Sequence, residues 1–222
     1  MLIFPAIDLK DGAVVRLYKG DFATVHQVAD DPLATAEAFL AAGARHIHMV
    51  DLDGAKDGKR KNGDIVRAVA ATGLRVELGG GSRSMADLEA VFDLRVWRAV
   101  IGSAAVSDPD FVREAIVRYG PEKVAVGIDA KDGHVRTAGW VRDEGLDYLQ
   151  FAKSMESIGV KYIIFTDIDT DGTLSGPALG RLEALQKAVG CAITASGGVS
   201  SNGDLRTLRD MGLYAAIVGK AW

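Results

Sequence analysis

Two aspartates at matched positions are the residues with the clearest chemical use. Asp8 lies in residues 7–12 (IDLKDG), and Asp129 lies in the similar residues 128–133 (IDAKDG). Each follows a short apolar run, so both carboxylates are expected at the ends of strands. Two carboxylates that flank the centre of a ligand suit general acid–base catalysis. Aspartate also caps turns and helices, but the matched positions favour a shared site.

Glycine-rich segments form the second set of candidates. They follow apolar runs in both halves of the chain: Gly80, Gly81, Gly102 and Ser103 in the first half, and Gly197, Gly198 and Gly219 in the second. Glycine lets the backbone approach a ligand closely, and a following helix N-terminus offers free N–H groups to an anion. Single glycines often make only tight turns. Two matching pairs predict two phosphate sites that face each other across one cavity.

These candidates belong to an internal repeat. Residues 43–53 (GARHIHMVDLD) return as residues 159–169 (GVKYIIFTDID), and further pairs begin at 80 and 197 and at 100 and 217, with an offset of about 117 residues. A ligand bound between such halves is expected to have near two-fold character. Asp51 and Asp167 form one more matched pair in this repeat. We take Asp51 as a site residue and leave Asp167 open.

The elements that must position these residues alternate along the chain. Eight apolar runs are expected to be strands: residues 2–9, 46–53, 75–78, 99–102, 124–130, 162–167, 192–195 and 215–219. Helical periodicity fills most of the intervals: residues 32–42, 64–71, 85–92, 110–119, 146–158, 178–189 and 202–211. The runs are apolar on both faces, which is typical of a parallel sheet covered by helices.

Eight strands in a two-fold repeat predict an α/β fold, a (βα)8 TIM barrel. Periodicity alone leaves an open doubly wound sheet as the alternative. No low-complexity linker lies near residue 120, so residues 1–222 are expected to form one domain of two half-barrels, about 1–120 and 121–222. In such a barrel the ends of the strands and the loops after them form the active face. All the candidates above fall on that face.

Composition narrows the classes of partner. The chain has 222 residues, 48% hydrophobic and 25% charged, with a net charge of −4 and both signs well mixed. This balance argues against nucleic acid or an anionic membrane as a partner. No apolar stretch has membrane-spanning length and no signal peptide is evident, so the cytoplasm is the expected compartment. Cys191 stands alone, and the four histidines lack zinc-like spacing, so neither a disulfide nor a metal site is expected.

The combined motifs resemble one family. Residues 6–17, 79–84, 166–173 and 196–200 are similar to the phosphoribosylformimino-5-aminoimidazole carboxamide ribotide isomerases of histidine biosynthesis, and the resemblance covers residues 2–222. It implies an Amadori rearrangement of an aldose aminal to a ketose amine, on a small substrate with one phosphate at each end. No cofactor or metal is implied. We expect a monomer without an obligatory protein partner.

The resemblance also assigns roles to the two aspartates. It implies that Asp8 removes the C2 proton and that Asp129 protonates the ring oxygen, whereas the residues alone do not choose between the two. A free aspartate has a pKa of about 3.9, so the carboxyl that serves as acid needs its pKa raised by roughly three units. Burial and nearby phosphate charge are the expected causes.

Further residues match the family one at a time. Arg83 is expected to grip a phosphate or a carboxamide, with a surface salt bridge as the alternative. Trp140 matches an aromatic residue that stacks on the imidazole carboxamide ring. Thr166 and Asp171 match positions that orient the substrate and the two aspartates. Residues 16–24 are expected to form a mobile loop over the site.

One departure and several alternatives remain open. The family continues with a last helix after the eighth strand, whereas this chain ends at Trp222, so one flank of the barrel is expected to be bare and activity is in question. The alternatives are the related cyclase of the same pathway, an isomerase that also accepts phosphoribosyl anthranilate, and a non-catalytic binder of phosphate ligands. Residues 6–9 and 169–174 favour the isomerase. A Schiff-base aldolase is disfavoured, because Lys220 lies inside an expected phosphate site.

Overall fold

The structure, a computed structural model, describes residues 1–222. Its strands in chain order are β1 (Leu2–Lys10), β2 (Ala13–Tyr18), β3 (Asp21–Ala29), β4 (His46–Asp51), β5 (Arg75–Gly79), β6 (Arg98–Ile101), β7 (Val124–Lys131), β8 (His134–Thr137), β9 (Arg142–Asp147), β10 (Tyr162–Asp167), β11 (Ala192–Ser196) and β12 (Ala215–Val218). Its helices are α1 (Pro32–Ala41), α2 (Leu52–Asp57), α3 (Gly63–Ala71), α4 (Met85–Asp93), α5 (Ser103–Ser107), α6 (Pro109–Tyr119), α7 (Tyr148–Ser157), α8 (Leu179–Ala188) and α9 (Asn202–Asp210).

Eight of the strands close into a parallel ring. The order around the ring is β1, β4, β5, β6, β7, β10, β11 and β12, and β12 pairs with β1 to complete it. All eight of these pairings are parallel. The predicted (βα)8 TIM barrel is therefore confirmed, and the open doubly wound sheet is wrong. The eight predicted strands all form, with ends that differ by one or two residues.

The core divides between the two faces of the ring. Side chains alternate along β1, so that Phe4 and Ala6 join a small apolar cluster inside the barrel, whereas Ile7 and Leu9 join the large cluster beneath the helices. This division explains why the strands are apolar on both faces. At the start of α1, the Asp31 side chain caps the helix by accepting a hydrogen bond from the Ala34 N–H.

Two hairpins at the mouth of the barrel were not predicted. The segment expected to be a mobile loop, residues 16–24, instead contains the end of β2, the two-residue turn and the start of β3. β2 pairs antiparallel with the end of β1. A second hairpin, β8 and β9, pairs in the same way with the end of β7. The inner strands bury apolar side chains, Val14 and Val15 on β2 and Val135 on β8, whereas the outer strands β3 and β9 bury none and so carried no strong sequence signal.

No helix in the structure combines the length and the apolar character that crossing a membrane requires.

Candidate active site

A cavity of about 320 Å³ opens at the carboxyl ends of the ring strands. Its volume falls in the range of small-molecule sites. All but one of the residues predicted for the site line it: Asp8, Gly80, Gly81, Arg83, Gly102, Ser103, Asp129, Trp140, Thr166, Asp171, Gly197, Gly198 and Gly219. The exception is Asp51.

Asp8 and Asp129 face the cavity from opposite sides of the ring, on β1 and β7. Burial raises the pKa of both carboxyls above the usual range for aspartate. Their other contacts differ. Asp129 accepts a 2.6 Å hydrogen bond from Trp140 Nε1 and another from the Thr166 side chain, and both lower its pKa against the effect of burial. The effect of burial on the pKa of Asp8 is opposed by the positive charge of Arg16, and by His48 when its ring is protonated.

Asp171 is a third carboxyl of the same cavity. Burial, followed by the negative charges of Asp8 and Asp129, raises its pKa to about 7, although Lys220 and Arg16 act in the opposite direction. Three carboxyls so close to one another cannot all be ionised without repulsion. Asp171 therefore keeps its proton to a higher pH than a free aspartate does.

The glycine segments of the two halves adopt nearly the same backbone. Gly80 and Gly197 have φ of 96° and 97°, and Gly81 and Gly198 have φ of 83° and 81°. A Cβ on Gly80 would lie 2.2 Å from the Asp51 carbonyl oxygen, so this turn packs too closely for any side chain. Each turn leads into a helix, α4 or α9, and the remaining pair of segments lies at Gly102 and Gly219 on the neighbouring strands.

Asp51 lies outside the cavity, so its assignment as a ligand contact is corrected. Its side chain is fully buried. One carboxylate oxygen accepts from the Gly54 N–H at 2.9 Å, which caps α2, and from Asn62 Nδ2 at 3.0 Å; the other accepts from the Asn62 N–H at 3.1 Å. These bonds occupy the carboxylate and fix the β4–α2 turn against Gly80. The apolar run before Asp51 signalled a strand end but not which side of the ring the side chain faces.

Trp140 brings the two hairpins together over the cavity. It lies in the turn between β8 and β9, and its ring lies against Gly20 at the tip of the β2–β3 hairpin, where a Cβ would come within 2.0 Å of Trp140 Cε3. Ser103 supports the same turn by accepting from the Ala138 N–H at 3.0 Å. The wall of the cavity is thus built partly from two hairpins whose strands the sequence patterns did not predict.

Arg83 lies on the cavity wall next to the first glycine turn. Its Nη2 donates to the Ala55 carbonyl at 2.9 Å, and its Nη1 lies close to Gly58. It forms no ion pair in the structure, so the alternative of a surface salt bridge is wrong. The guanidinium retains N–H donors that can face a ligand.

Three basic side chains of the cavity wall were not singled out as binding groups. They are Arg16, His48 and Lys220. Arg16 Nη2 donates to the Ala6 carbonyl at 2.9 Å, and Lys220 Nζ donates to the Gly172 carbonyl at 2.9 Å. His48 Nδ1 lies 2.9 Å from Glu77 Oε1, within hydrogen-bond distance. Its signal in the sequence was strand alternation, since residues 46, 48 and 50 share the inner face of β4.

The geometry can be set beside known proteins. The histidine biosynthesis protein family matches residues 2–222. A relative from Listeria welshimeri, a 1-(5-phosphoribosyl)-5-((5-phosphoribosylamino)methylideneamino) imidazole-4-carboxamide isomerase, is 52% identical over 223 residues, covering 100% of this chain and 92% of its own length. Proteins of the same name from Listeria innocua and Clostridium acetobutylicum are 49% and 48% identical over 222 residues, with the same coverage. The chain therefore belongs to the histidine biosynthesis protein family.

Proposed function

We propose that this chain catalyses the isomerisation for which its relatives are named, the conversion of a bis-phosphorylated ribosylamine on an aminoimidazole carboxamide to the corresponding ketose amine. One observation carries the proposal. Two glycine turns of almost identical backbone lie in the two halves of a ring, and the carboxyls of Asp8 and Asp129 face the cavity between them.

The glycine turns hold the two phosphates. Gly80 and Gly81 with Gly102 bind one, and Gly197 and Gly198 with Gly219 bind the other. The chain has a net charge of −4, so general attraction does not bring a bisphosphate to this cavity. Backbone N–H groups and helix N-termini supply the local attraction instead. The basic side chains of the cavity wall add to it.

The carboxyls move the protons. Asp129 protonates the ring oxygen of the ribosylamine, the bond from C1 to that oxygen breaks, and C1 forms an imine with nitrogen. Asp8 then removes the proton from C2, whose electron pair moves toward the imine to give an enol amine. Protonation at C1 and loss of the enol proton complete the ketose amine. The two carboxyls act through proton transfers alone, and these drive the cleavage of the C1–oxygen bond and the shifts of the double bonds.

Burial raises the pKa of both carboxyls, as the group that serves as acid requires, and Arg16 opposes this rise at Asp8. Trp140 and Thr166 both donate to Asp129 and lower its pKa. A substrate that draws Trp140 into stacking on its imidazole ring removes one of these donors and raises the pKa of the acid. Thr166 and Asp171 orient the sugar, and the Asp171 carboxyl keeps a proton to about neutral pH.

Three further expectations, on domain organisation, cellular compartment and partners, accompany this function. We propose that residues 1–222 form one domain of two half-barrels, that the chain works in the cytoplasm, and that it acts as a monomer with neither nucleic acid nor protein as partner. The mixed charges and the occupation of both halves by one site support these points.

The test is turnover of the phosphoribosylformimino substrate by the purified chain. Wild type is expected to form the ketose product, and Asp8→Asn to lose about 1,000-fold or more, because a positioned base has been removed. The matched control is Asp132→Asn, which changes an exposed aspartate of the second half, three residues after Asp129. This variant should retain full activity. Near-normal turnover by Asp8→Asn would overturn the proposed chemistry. Substrate bound without turnover by wild type would favour a non-catalytic binder.

A further inference from the structure

Three charged or polar side chains lie side by side inside the first half of the barrel. They are His48, Glu77 and Arg98, which occupy registered positions on the neighbouring strands β4, β5 and β6. His48 Nδ1 lies 2.9 Å from Glu77 Oε1, and Arg98 Nη1 lies 3.4 Å from Glu77 Oε2. Glu77 and Arg98 are fully buried. We call these three residues the polar row.

The far end of the polar row is anchored. The guanidinium carbon of Arg98 lies 4.0 Å from the centre of the Trp97 ring and 3.7 Å from that of Tyr162, and Arg98 Nε donates to the Glu122 carbonyl at 3.1 Å. Aromatic faces and a carbonyl acceptor stabilise a buried guanidinium. Arg98 therefore stays in place and orients the Glu77 carboxylate.

The repeat shows that the barrel frame does not need this row. The matching positions in the second half are Ile164, Thr194 and Ala215, on β10, β11 and β12, with the same neighbouring register. They carry no charge. A buried ion pair is costly to desolvate and adds little net stability over apolar side chains. The presence of the polar row in one half alone is therefore better explained by what its exposed end does.

That end is His48, whose ring forms part of the cavity wall. The Glu77 carboxylate only accepts hydrogen bonds, so it holds the proton of a neutral His48 on Nδ1. Nε2 makes no hydrogen bond to the protein, and it is not one of the polar atoms that are buried without a partner. It therefore opens on the cavity. Two carboxyls face the same cavity, Asp8 from the neighbouring strand β1 and Asp129 from β7, further round the ring.

We infer that His48 contacts the substrate through Nε2, accepting a hydrogen bond from a hydroxyl of the reacting sugar, and that Glu77 and Arg98 are positioning residues that fix this tautomer. The inference rests on the proposed function for the identity of the ligand. The hydroxyl at C2 is the donor that fits, because the reaction converts it to a carbonyl and the two carboxyls that act on C2 and the ring oxygen lie beside His48.

Glu77→Gln is the sharpest variant. Arg98 can only donate, so the new amide turns its oxygen toward Arg98 and its NH₂ toward His48 Nδ1. The proton of His48 then moves to Nε2, which can no longer accept from the sugar. We expect the 15N signals of the His48 ring, assigned with His48→Gln, to change from the Nδ1–H to the Nε2–H pattern. We also expect kcat to fall about tenfold or more with KM changed less than about threefold, as for other residues that orient a reacting group.

Two further variants keep the test decisive. Thr194→Val alters the matching position of the other half and should leave both the His48 signals and kcat as in wild type. Glu77→Gln/Arg98→Met removes the unpaired buried charge, so it tests the inference if the single variant does not fold. Its amide can turn either way, so we expect mixed tautomers and a partly restored kcat.

The outcomes separate the two claims. An Nε2–H pattern in wild type, or kcat of Glu77→Gln within about twofold of Thr194→Val, would overturn the positioning role. Failure of wild type to convert the substrate would overturn the proposed function, while the nitrogen signals would still report whether Glu77 sets the tautomer.

Discussion

The two halves of the barrel share a frame but differ in the contacts of their central carboxyls. In the first half Asp53 accepts from the Asp11 N–H at 2.8 Å, and in the second half Asp169 accepts from the Asp132 N–H at 3.2 Å. These bonds support the turns after the two active-site strands in the same way. The frame is therefore symmetric down to single hydrogen bonds.

The central pair breaks this symmetry. Asp129 accepts from Trp140 and Thr166, whereas Asp8 has only charged neighbours to oppose its burial. The polar row likewise exists in the first half alone. Under the proposed function, the repeat supplies the backbone for two phosphates, and the departures from the repeat divide the work of acid and base.

The largest effect on turnover is expected from replacing Asp129, the member of the Asp8–Asp129 pair that lies in the second half. Asp129→Asn should lower turnover by about 1,000-fold or more, because the acid for ring opening is lost. The double variant with Asp8→Asn should be only slightly worse than the poorer single variant, since groups that act as one unit are not additive. Steady-state turnover of the three variants checks this. Losses that multiply would show that the two carboxyls act independently.

Asp171 sharpens the comparison because it responds to both halves. Its pKa of about 7 lies above its usual 3.8, so the folded chain binds a proton more tightly than the unfolded chain. Wild-type stability should therefore fall as pH rises from about 4 to 7, and this contribution should be constant above that range. Asp171→Asn lacks the carboxyl that causes this fall in stability, so it should be more stable than wild type at pH 8, by up to about 4 kcal/mol.

Urea unfolding at pH 5 and pH 8 measures this difference. An equal pH dependence of the unfolding free energy in wild type and Asp171→Asn would contradict the raised pKa of Asp171. Turnover should fall in the same variant, since the carboxyl faces the cavity.

The glycine turns allow the two halves to be compared directly. Gly80→Ala should destabilise more than Gly197→Ala, because the added Cβ would lie 2.2 Å from a backbone oxygen in the first case and 2.9 Å in the second. Gly212→Ala is the control: its φ is also positive, at 83°, but nothing lies within 4 Å of the added carbon. It should lose about 1 kcal/mol, from the backbone conformation alone. Denaturant midpoints rank the three, and equal losses would show that close packing of the turns is unimportant.

The smallest effect is expected at Trp140. Trp140→Phe keeps an aromatic ring for stacking but removes the N–H that donates to Asp129. The pKa of Asp129 should rise, so the pH–activity profile should move toward higher pH, with turnover at its optimum changed by less than about tenfold. An unchanged profile would show that this hydrogen bond does not tune the acid.

Sequence patterns predicted the ring well because buried parallel strands leave continuous apolar runs that end in glycine or aspartate. They also predicted the wall residues that follow those runs, from Asp8 to Gly219. Asp51 failed because a strand end does not reveal which side of the ring a carboxylate faces. The β2–β3 hairpin was missed because its outer strand buries no side chain completely, so it has no buried apolar face with a regular period.

His48 shows the limit most clearly. Its part in the cavity depends on Glu77, which is 29 residues further along the chain, and on Arg98, which is 21 residues beyond Glu77. The three residues meet only because their strands pair in this register. No local pattern connects three such residues. A comparison of the two halves at equal positions would have drawn attention to them, since charged residues replace Thr194 and Ala215.

The central claim is that one ligand spans both halves, with a phosphate in each glycine turn. Titration of Asp8→Asn with the phosphoribosylformimino substrate, followed by 31P NMR, tests it most directly, because this variant binds without turnover. Both phosphorus signals are predicted to shift together and to saturate at one ligand per chain. A signal that stays at its free position, or saturation at two ligands per chain, would contradict the claim.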